Sequence, residues 1–329
     1  MAIGNYHQFT RNLHLQYGPV VRIGYNKVSV SDPLELKHIL STHEFRKGSF
    51  YKAMEKVFPS TFTTTNPGFN KTRRRQLGNS YSLPSVRLYE SKIFEHGVLS
   101  LISLWDSQIS LSPGRDRAIV NFHYGFHGLA FDIIGVLGFG KSFNILSTGD
   151  TKIINNVGKF VKLGAITSGM PLGKYLEWFL GDWVDAGKYV LTVIDDTIRS
   201  RKQENAESAA SDHGTELCVS LFACHRNQDV WPSPDEFDPE RFMGPDAERR
   251  IKDVLAFGSG VRICIGRYLG LVELYTTLAN LVRRYDFKLP DAEERRYDFS
   301  AGEIPGKSFF IYTPTNADKN CQMVVSPAK

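Results

Sequence analysis

The feature that most constrains this 329-residue chain is a glycine-flanked cysteine directly ahead of a long helical pattern. The stretch "FGSGVRICIG" runs from Phe257 to Gly266 and contains Cys264. The following "RYLGLVELYTTLANLVRRYDFKL" has apolar residues at the spacing of an amphipathic helix. A helix N-terminus carries partial positive charge and unpaired N–H groups, which favour a thiolate over a thiol. The segment therefore predicts either a thiolate ligand presented from a turn or a buried structural cysteine.

The neighbours of the cysteine favour the ligand. Gly260 and Gly266 would let the backbone turn sharply and approach a flat molecule closely, where a β-carbon would obstruct it. Arg262 lies two residues before Cys264 and is expected to reach an anionic group of the same molecule. We therefore predict that Cys264 binds a metal in an apolar pocket.

The spacing of these residues matches a known pattern. Phe257, Gly260, Arg262, Cys264 and Gly266 fit F-x-x-G-x-R-x-C-x-G without a mismatch. The stretch resembles the haem-binding loop of the cytochrome P-450 family, the haem-thiolate monooxygenases. Upstream, "HRNQDVWPSPDEFDPERF" resembles the aromatic region and meander of that family, and "LGL" after the loop places a glycine where small residues pack against the porphyrin.

The N-terminal part resembles the same family less specifically. "YGPVVRIG" is similar to its first strand pair, and "KTRRRQLGNSYS" is similar to its helix C. There the family usually has His or Trp four residues before an Arg, and both contact haem propionates. Those positions are Asn70 and Arg74 here. The resemblance implies that Arg74 binds a propionate, with a solvated helix face as the alternative, and that Asn70 weakens the contact.

Two segments typical of the family are missing. The family's (A/G)-G-x-(D/E)-T stretch, which delivers protons to dioxygen, has no counterpart on a long apolar helix, and "TGDT" at Thr148–Thr151 reads as a polar turn. The E-x-x-R pair that holds the arginine of "PERF", here Arg241, is also missing, since Glu293 and Arg296 follow the cysteine. The polar stretch Gln203–Gly214 is too short for two helices. We therefore expect a deletion there.

The remaining chain predicts a mostly α protein with a small β portion, by resemblance an incomplete cytochrome P-450 fold. Apolar and polar residues alternate on both sides of "GYNK", which predicts a strand hairpin. Ser31 is the expected N-cap of the next helix, with Pro33 in its first turn. Its expected apolar face is Leu34, Leu36 and Ile39–Leu40. Further helical patterns cover 84–110, 120–140, 151–165 and 176–202.

These patterns divide the chain into three parts. We expect an N-terminal helical part with the hairpin over 1–202, a polar linker over 203–214 at the deletion, and a haem-binding C-terminal part over 215–329. The C-terminal part would contain the meander, the cysteine loop, the long helix and the last strands.

Composition restricts the partners. Hydrophobic residues make up 42% and charged residues 23% of the chain, which is typical of a globular protein. The net charge of +5 comes without an arginine-rich arm, so no nucleic-acid partner is expected. Four cysteines give no disulfide framework and favour an intracellular location. No stretch is apolar enough to span a bilayer. We expect a soluble chain or one peripheral to the endoplasmic reticulum, where family members are usually anchored.

The resemblance also implies a function. One oxygen atom from dioxygen would be inserted into an apolar small molecule, in keeping with secondary metabolism. The cofactor would be haem b (iron protoporphyrin IX), with electrons from NADPH through a flavoprotein reductase. Cys264 would be the axial iron ligand, Phe257 would shield its sulfur, and Arg262 and Arg74 would pair with propionates. The alternative is a truncated, inactive haem-binding remnant, because the proton-delivery helix is missing. No residue is assigned a catalytic role.

Three further groups of residues were weighed. Cys218, Cys224 and His225 have no zinc-site spacing and lie in an apolar strand pattern, so a metal site is disfavoured. The pair His123 and His127 lacks the Glu of a zinc motif and reads as incidental. The aromatic and threonine-rich stretch "SFYKAMEKVFPSTFTTTNPGF" falls where the family contacts its substrate, although core packing explains it equally well.

Overall fold

The computed structural model describes residues 4–55, 60–169, 181–198, 215–291, 304–308 and 312–329. Helices predominate among them, and three small sheets complete the fold, which confirms a mostly α protein with a small β portion. No helix within these ranges is long and apolar enough to cross a membrane.

The α-helices and strands follow one another along the chain. The α-helices are α1 Tyr6–Tyr17, α2 Pro33–Ser41, α3 Ser49–Glu55, α4 Pro67–Gly78, α5 Leu83–Arg87, α6 Glu90–Ile93, α7 Leu99–Leu111, α8 Phe122–Ile134, α9 Ile145–Thr148, α10 Lys152–Gly169, α11 Gly181–Ile198, α12 Leu221–Cys224, α13 Ala247–Asp253, α14 Arg267–Arg284 and α15 Ala317–Asn320. The strands are β1 Val20–Gly24, β2 Lys27–Val30, β3 Ala118–Asn121, β4 Glu216–Val219, β5 Tyr285–Lys288, β6 Gly306–Ser308, β7 Tyr312–Pro314 and β8 Gln322–Pro327. Turns of π-helix follow α6 and α8, and turns of 3-10 helix cover Pro239–Phe242 and Gly260–Arg262.

The chain forms two compact units. The first consists of Met1–Leu77 and Ala206–Arg267, and the second of Gly78–Asn205 and Tyr268–Lys329. Each unit combines residues from before and after the predicted linker. The linker itself, 203–214, lies outside the described residues, as does the end of the helix predicted over 176–202.

The first unit is built on a three-stranded sheet in the order β1-β2-β4. β1 and β2 form the predicted antiparallel hairpin, with Val20 opposite Val30. β4 pairs with β2 in parallel, with Leu217 opposite Val28. The connection between these two strands is residues 31–215, the long crossover that parallel strands need. The core beneath this sheet consists of Val30, Leu36, Ile39, Cys224 and Leu255. Leu34, expected on the apolar face of α2, is exposed.

The start of α2 differs from the prediction. Asp32, not Ser31, is the N-cap: its carboxylate accepts hydrogen bonds from the N–H groups of Leu34 at 2.8 Å and Glu35 at 3.0 Å. Ser31 is buried, and its N–H is used in a bond back to the chain before β1. The carboxylate one residue later is therefore the cap, with Pro33 at the first helical position.

The second unit packs its helices against a sheet in the order β3-β8-β5, with antiparallel pairing throughout. β6 and β7 form a separate antiparallel pair. Buried side chains come mainly from α7, α8 and the sheet; the largest in this unit are Trp105, Tyr285, Ile93, Leu101, Ile133, Ile145 and Leu281. The predicted long helix after the cysteine is confirmed as α14, which buries Leu281 and Thr277 in this core.

Candidate functional site

The cysteine loop, Phe257–Gly266, closes on itself ahead of α14. The N–H of Cys264 donates a hydrogen bond to the carbonyl oxygen of Phe257 at 2.7 Å, which brings the two ends of the motif together. The Cys264 thiol is exposed at the end of this turn, while Cys224 is fully buried in the core. Exposure of the thiol argues against the alternative of a buried structural cysteine.

The glycines of the loop differ in what they require. Gly260 has φ +54°, and a β-carbon there would lie 2.4 Å from the α-carbon of Ser41. Glycine is therefore needed for the loop to pack on the end of α2. Gly266 does not adopt the left-handed backbone, and a β-carbon there would lie 3.9 Å from the Cys264 sulfur. The backbone turn at Gly266 therefore does not require a glycine, contrary to the expectation from the sequence. The missing side chain instead leaves open space beside the Cys264 sulfur.

The base of the loop is anchored in the core of the first unit. Leu255 is 2% exposed, and its N–H donates a hydrogen bond to Nε2 of His225 at 2.9 Å. Burial, and secondly the charge of Arg226, lower the pKa of His225, so the ring is kept in the neutral form that accepts this bond. His225 is therefore a structural acceptor for the chain that leads into the cysteine loop.

α4 reaches the loop through Arg74. The Arg74 guanidinium donates a hydrogen bond to the carbonyl oxygen of Ile263, the residue before Cys264. The solvated-face alternative for Arg74 is therefore wrong. Asn70, one turn earlier on α4, is buried, and its amide donates a hydrogen bond to the carbonyl oxygen of Thr61 at 2.7 Å. The two side chains thus act differently: Arg74 binds the cysteine loop, and Asn70 binds the chain before α4.

Three cations meet beside the loop. Burial lowers the pKa of Lys47 to about 8, with further contributions from the positive charges of Arg262 and Arg74. Burial also lowers the pKa of Arg262, against the opposing influence of Tyr51. Among the described residues, no carboxylate lies within 4 Å of the three cationic groups, although the Glu55 charge partly offsets the shift at Lys47. The cluster is an arrangement that suits an anion.

The meander is held by Arg241. The sequence lacks the E-x-x-R pair whose charges would hold this arginine. The Arg241 guanidinium donates instead to the carbonyl oxygens of Asp238, Pro232, Ser233 and Glu236 at 2.9–3.1 Å. Arg250 in turn donates to the carbonyl of Arg241 at 2.7 Å. Backbone acceptors therefore satisfy the guanidinium where a glutamate was expected.

The described residues contain no cluster of three His, Cys, Asp or Glu side chains able to hold a metal ion. The His123 and His127 rings contact each other edge to face at 4.2 Å between centroids, and burial is the main cause of the lowered pKa of His123. "TGDT" begins at the end of α9 and continues through Gly149 in the left-handed region, as a polar turn. The Glu293–Arg296 pair lies outside the described residues.

The first unit contains the cysteine loop with Phe257, Gly260, Arg262, Cys264 and Gly266, and it places Arg74 against that loop. Lys47 and Tyr51 also interact with Arg262 of this loop. Motif spacing could not predict either residue, because both lie more than two hundred residues before Cys264. The donor set fits an iron porphyrin with two carboxylates: an exposed thiol for the metal, and cations without carboxylate partners for the acid groups.

Comparison with known proteins agrees with this geometry. The family model described as Cytochrome P-450 matches residues 211–305, which include the meander and the cysteine loop. Cytochrome P-450 monooxygenase helB2 of Aspergillus fumigatus is 38% identical over 125 residues, 35% of this chain and 24% of that protein. The match to helB2 therefore covers less than two thirds of its length.

A second relative aligns along nearly the whole chain. Cytochrome P-450 monooxygenase helB1 of the same fungus is 21% identical over 443 positions, which include 94% of this chain and 76% of that protein. Because 443 positions exceed the 329 residues of the chain by 114, at least that many positions hold a residue of helB1 and none of this chain. The relative thus has more than a hundred residues without a counterpart here.

The fold is also found among solved structures. The crystal structure of the cytochrome P450DA heme domain superposes with a TM-score of 0.75 at 13% identity, covering 98% of this chain and 93% of that one. At this identity the likeness concerns the fold alone. The matched meander and cysteine loop, the alignment with helB1 and the shared fold lead to one conclusion: the chain is similar to cytochrome P-450 monooxygenases in these segments, and it has the cytochrome P-450 fold in incomplete form.

Proposed function

We propose that the chain binds haem b through the thiolate of Cys264 and acts as a monooxygenase on an apolar small molecule. The observation that carries this proposal is the exposed Cys264 thiol on a closed loop, with the cations Arg74 and Arg262 beside it. A thiol for the iron and positive charge for the propionates are two of the contacts that hold this cofactor. The relatives named above are monooxygenases, which supports the reaction class.

The chain's own residues would divide the work of binding. Cys264 would be the iron ligand, and Gly266 would leave the space beside its sulfur clear. Arg262 and Arg74 would pair with the propionates, while Phe257 would both shield the sulfur and accept the bond that closes the loop. When bound, the haem supplies the activation of dioxygen, which a thiolate ligand favours by donating electron density. NADPH would supply electrons through a flavoprotein reductase.

A second candidate function is a haem-binding chain without coupled turnover. The positions of helB1 that have no counterpart here favour it, as does the lack of a (A/G)-G-x-(D/E)-T stretch. Without an acid–alcohol pair on a helix beside the cofactor, protons cannot be delivered in a controlled order. Electrons from NADPH would then reduce dioxygen to superoxide or hydrogen peroxide, and no hydroxylated product would form.

Carbon monoxide tests the cofactor assignment. We expect the reduced, haem-loaded chain with carbon monoxide to absorb at the wavelength typical of thiolate ligation. Cys264→Ala should abolish this band, while Cys218→Ala, which alters a half-buried thiol on β4, should keep it. A band that persists in Cys264→Ala would overturn the assignment.

Turnover separates the two candidates. The measurement is NADPH consumption with a reductase, alongside peroxide and hydroxylated product, over a panel of apolar substrates. Product formed in proportion to NADPH supports the monooxygenase. Peroxide formed in proportion to the NADPH oxidised, by a chain that shows the thiolate band, supports the haem-binding chain without coupled turnover.

A further inference from the structure

The chain that leads into the cysteine loop is bound to one histidine. His225 follows α12 directly, and its Nε2 atom accepts a hydrogen bond from the N–H of Leu255 at 2.9 Å. The carbonyl oxygen of Leu255 accepts a bond from the N–H of Gly258 at 2.8 Å. Phe257, the residue before Gly258, accepts the N–H of Cys264 at 2.7 Å. Successive hydrogen bonds therefore connect the His225 ring to the backbone of the proposed iron ligand.

The His225 ring can make its bond in one protonation state only. Its centre lies 6.3 Å from that of the buried Trp231 ring, with the planes 66° apart, which fixes its orientation. A ring nitrogen that accepts an N–H carries no proton, so the proton of the neutral ring is on Nδ1. A second proton on Nε2 would point one N–H at another and leave the buried Leu255 amide without an acceptor. The bond to Leu255 therefore requires a neutral His225.

The surroundings of His225 set the pH range in which this bond breaks. Burial is the main cause of its lowered pKa, and the charge of Arg226 adds to the shift. The Arg226 guanidinium is itself bound to Asp235 of the meander at 3.2 Å. The other charged groups at this turn act on the neighbouring thiol of Cys224; they are Asp32 and Lys37 of α2 and Asp253 of α13. Lys37 and Asp253 form an ion pair at 2.7 Å. His225 therefore becomes charged below its ordinary pKa of about 6.5, in a mildly acidic range.

We propose that His225 is a positioning residue for the haem site: the neutral ring holds the cysteine loop in the shape that presents the Cys264 thiol, and protonation of the ring releases the loop and the haem. The proposal rests on the proposed haem binding and gives that site a dependence on pH. The contribution of the bond is fully present above about pH 6.5, where the ring is neutral whether or not it is bonded. It is lost as the pH falls through the lower pKa of the folded chain.

Haem retention tests the role of His225 on the full, haem-loaded chain. Transfer of haem to an excess of apomyoglobin is followed by absorbance at pH 7.5 and at pH 5.5. His225→Leu removes the acceptor and should release haem about fivefold faster than the wild type at pH 7.5, as expected for loss of one neutral hydrogen bond. His225→Gln keeps an acceptor that does not titrate. It should match the wild type at pH 7.5 and release haem about fivefold more slowly than the wild type at pH 5.5.

Two controls accompany this measurement. Gln228→Leu makes the same kind of change at an exposed position three residues later, and it should follow the wild type at both pH values. Acid also protonates the thiolate in every variant, and comparison of the variants at one pH removes this common contribution. The carbon monoxide spectrum of the reduced protein adds a readout of position: in His225→Leu at pH 7.5, part of the band should move to the wavelength typical of a neutral ligand. A variant that only unfolds would lose haem without moving the band of the haem that remains.

Amide hydrogen exchange in the haem-free chain separates the two proposals. In the wild type, the protection of the Leu255 and Cys264 amides should fall about fivefold between pH 7.5 and 5.5 after correction for the intrinsic rate, and in His225→Gln it should not. Equal pH profiles of haem transfer in the wild type and His225→Gln, or wild-type retention in His225→Leu, overturn the role of His225 while haem binding stands. A wild-type chain that takes up no haem overturns the proposed function, and with it the pH control of haem, even where exchange shows the bond.

Discussion

The Arg74 guanidinium hydrogen-bonds the carbonyl oxygen of Ile263, one residue before Cys264, across 189 positions of sequence. It ties α4 to the cysteine loop. A hydrogen bond from a charged donor contributes about 1.5–3 kcal/mol. Arg74→Gln is therefore expected to lower the free energy of unfolding in urea by about 1–2 kcal/mol and to reduce haem retention. Arg75→Gln, a change at the exposed neighbour, should alter neither; equal effects of the two substitutions would contradict a specific role for Arg74.

His225 is expected to make the stability of the first unit depend on pH. Its neutral ring accepts the N–H of Leu255, and burial holds its pKa below the ordinary value of about 6.5. Below pH 6.5 the unfolded chain therefore binds more protons than the folded one, so the free energy of unfolding falls as the pH drops. We expect His225→Gln, whose amide oxygen still accepts the bond, to flatten this fall in urea titrations between pH 7 and 5. An unchanged slope in His225→Gln would contradict this role of His225.

Two glycine substitutions should separate stability from cofactor binding. Gly260→Ala combines a left-handed backbone with a β-carbon 2.4 Å from the backbone of Ser41, so we expect a loss of more than 1 kcal/mol in unfolding free energy. Gly266→Ala has neither problem, and its stability should stay near the wild type. Its methyl group beside the sulfur should instead weaken haem binding. Identical behaviour of the two variants in thermal unfolding and haem titration would contradict this division.

α14 presents a second apolar face. Leu274, Tyr275, Leu278 and Val282 form a stripe that is 45–66% exposed, next to the stripe in which Leu281 and Thr277 are buried. An apolar helix surface of this width is normally covered. We expect the chain to bind a hydrophobic dye, and Leu278→Gln with Val282→Gln to reduce the fluorescence by more than half. Leu88→Gln, at an isolated exposed leucine, should leave it unchanged; equal dye binding by all three proteins would argue against this face as the binding site.

Sequence spacing could predict the parts of the site that are local. The cysteine loop, the helix after it and the meander each depend on residues within a few tens of positions, where turn chemistry and periodicity decide the structure. The hairpin and α14 were predicted for the same reason. The N-cap of α2 was misplaced by one residue, since Ser31 and Asp32 are both good caps and only the end of β2 decides between them.

The contacts that complete the site are not local. Lys47, Arg74 and Arg262 come from three distant stretches, and only the packing of α2 and α4 around the loop brings them together. Arg241 shows the same limit in another form. A motif search could register the missing glutamate, but not that four backbone carbonyls would take its place. Backbone acceptors leave no signature in a sequence.

The last prediction concerns Lys47 in the haem-free chain. Burial, followed by repulsion from Arg262 and Arg74, lowers its pKa from 10.5 to about 8. Between these values the unfolded chain holds more protons than the folded one, so the free energy of unfolding should rise as the pH increases from 8 to 10.5. Below pH 8 the full cost of the charged amine is present. Lys47→Met removes this cost and should stabilise the haem-free chain at pH 7 by about 1 kcal/mol, after allowing for partial exposure and lost hydrogen bonds.

The same substitution is expected to weaken haem binding, so its two effects have opposite signs. If Lys47 served only the fold, its truncation would lower the stability of the chain both without and with haem, because its contacts would be missing in both states. A cation that binds an anion should instead lower the stability of the chain until the anion is bound. Urea unfolding of the haem-free and haem-loaded proteins at pH 7 measures both effects. Lys47→Met should be the more stable chain without haem and the less stable one with it; a loss in both states would mean that Lys47 is a structural residue.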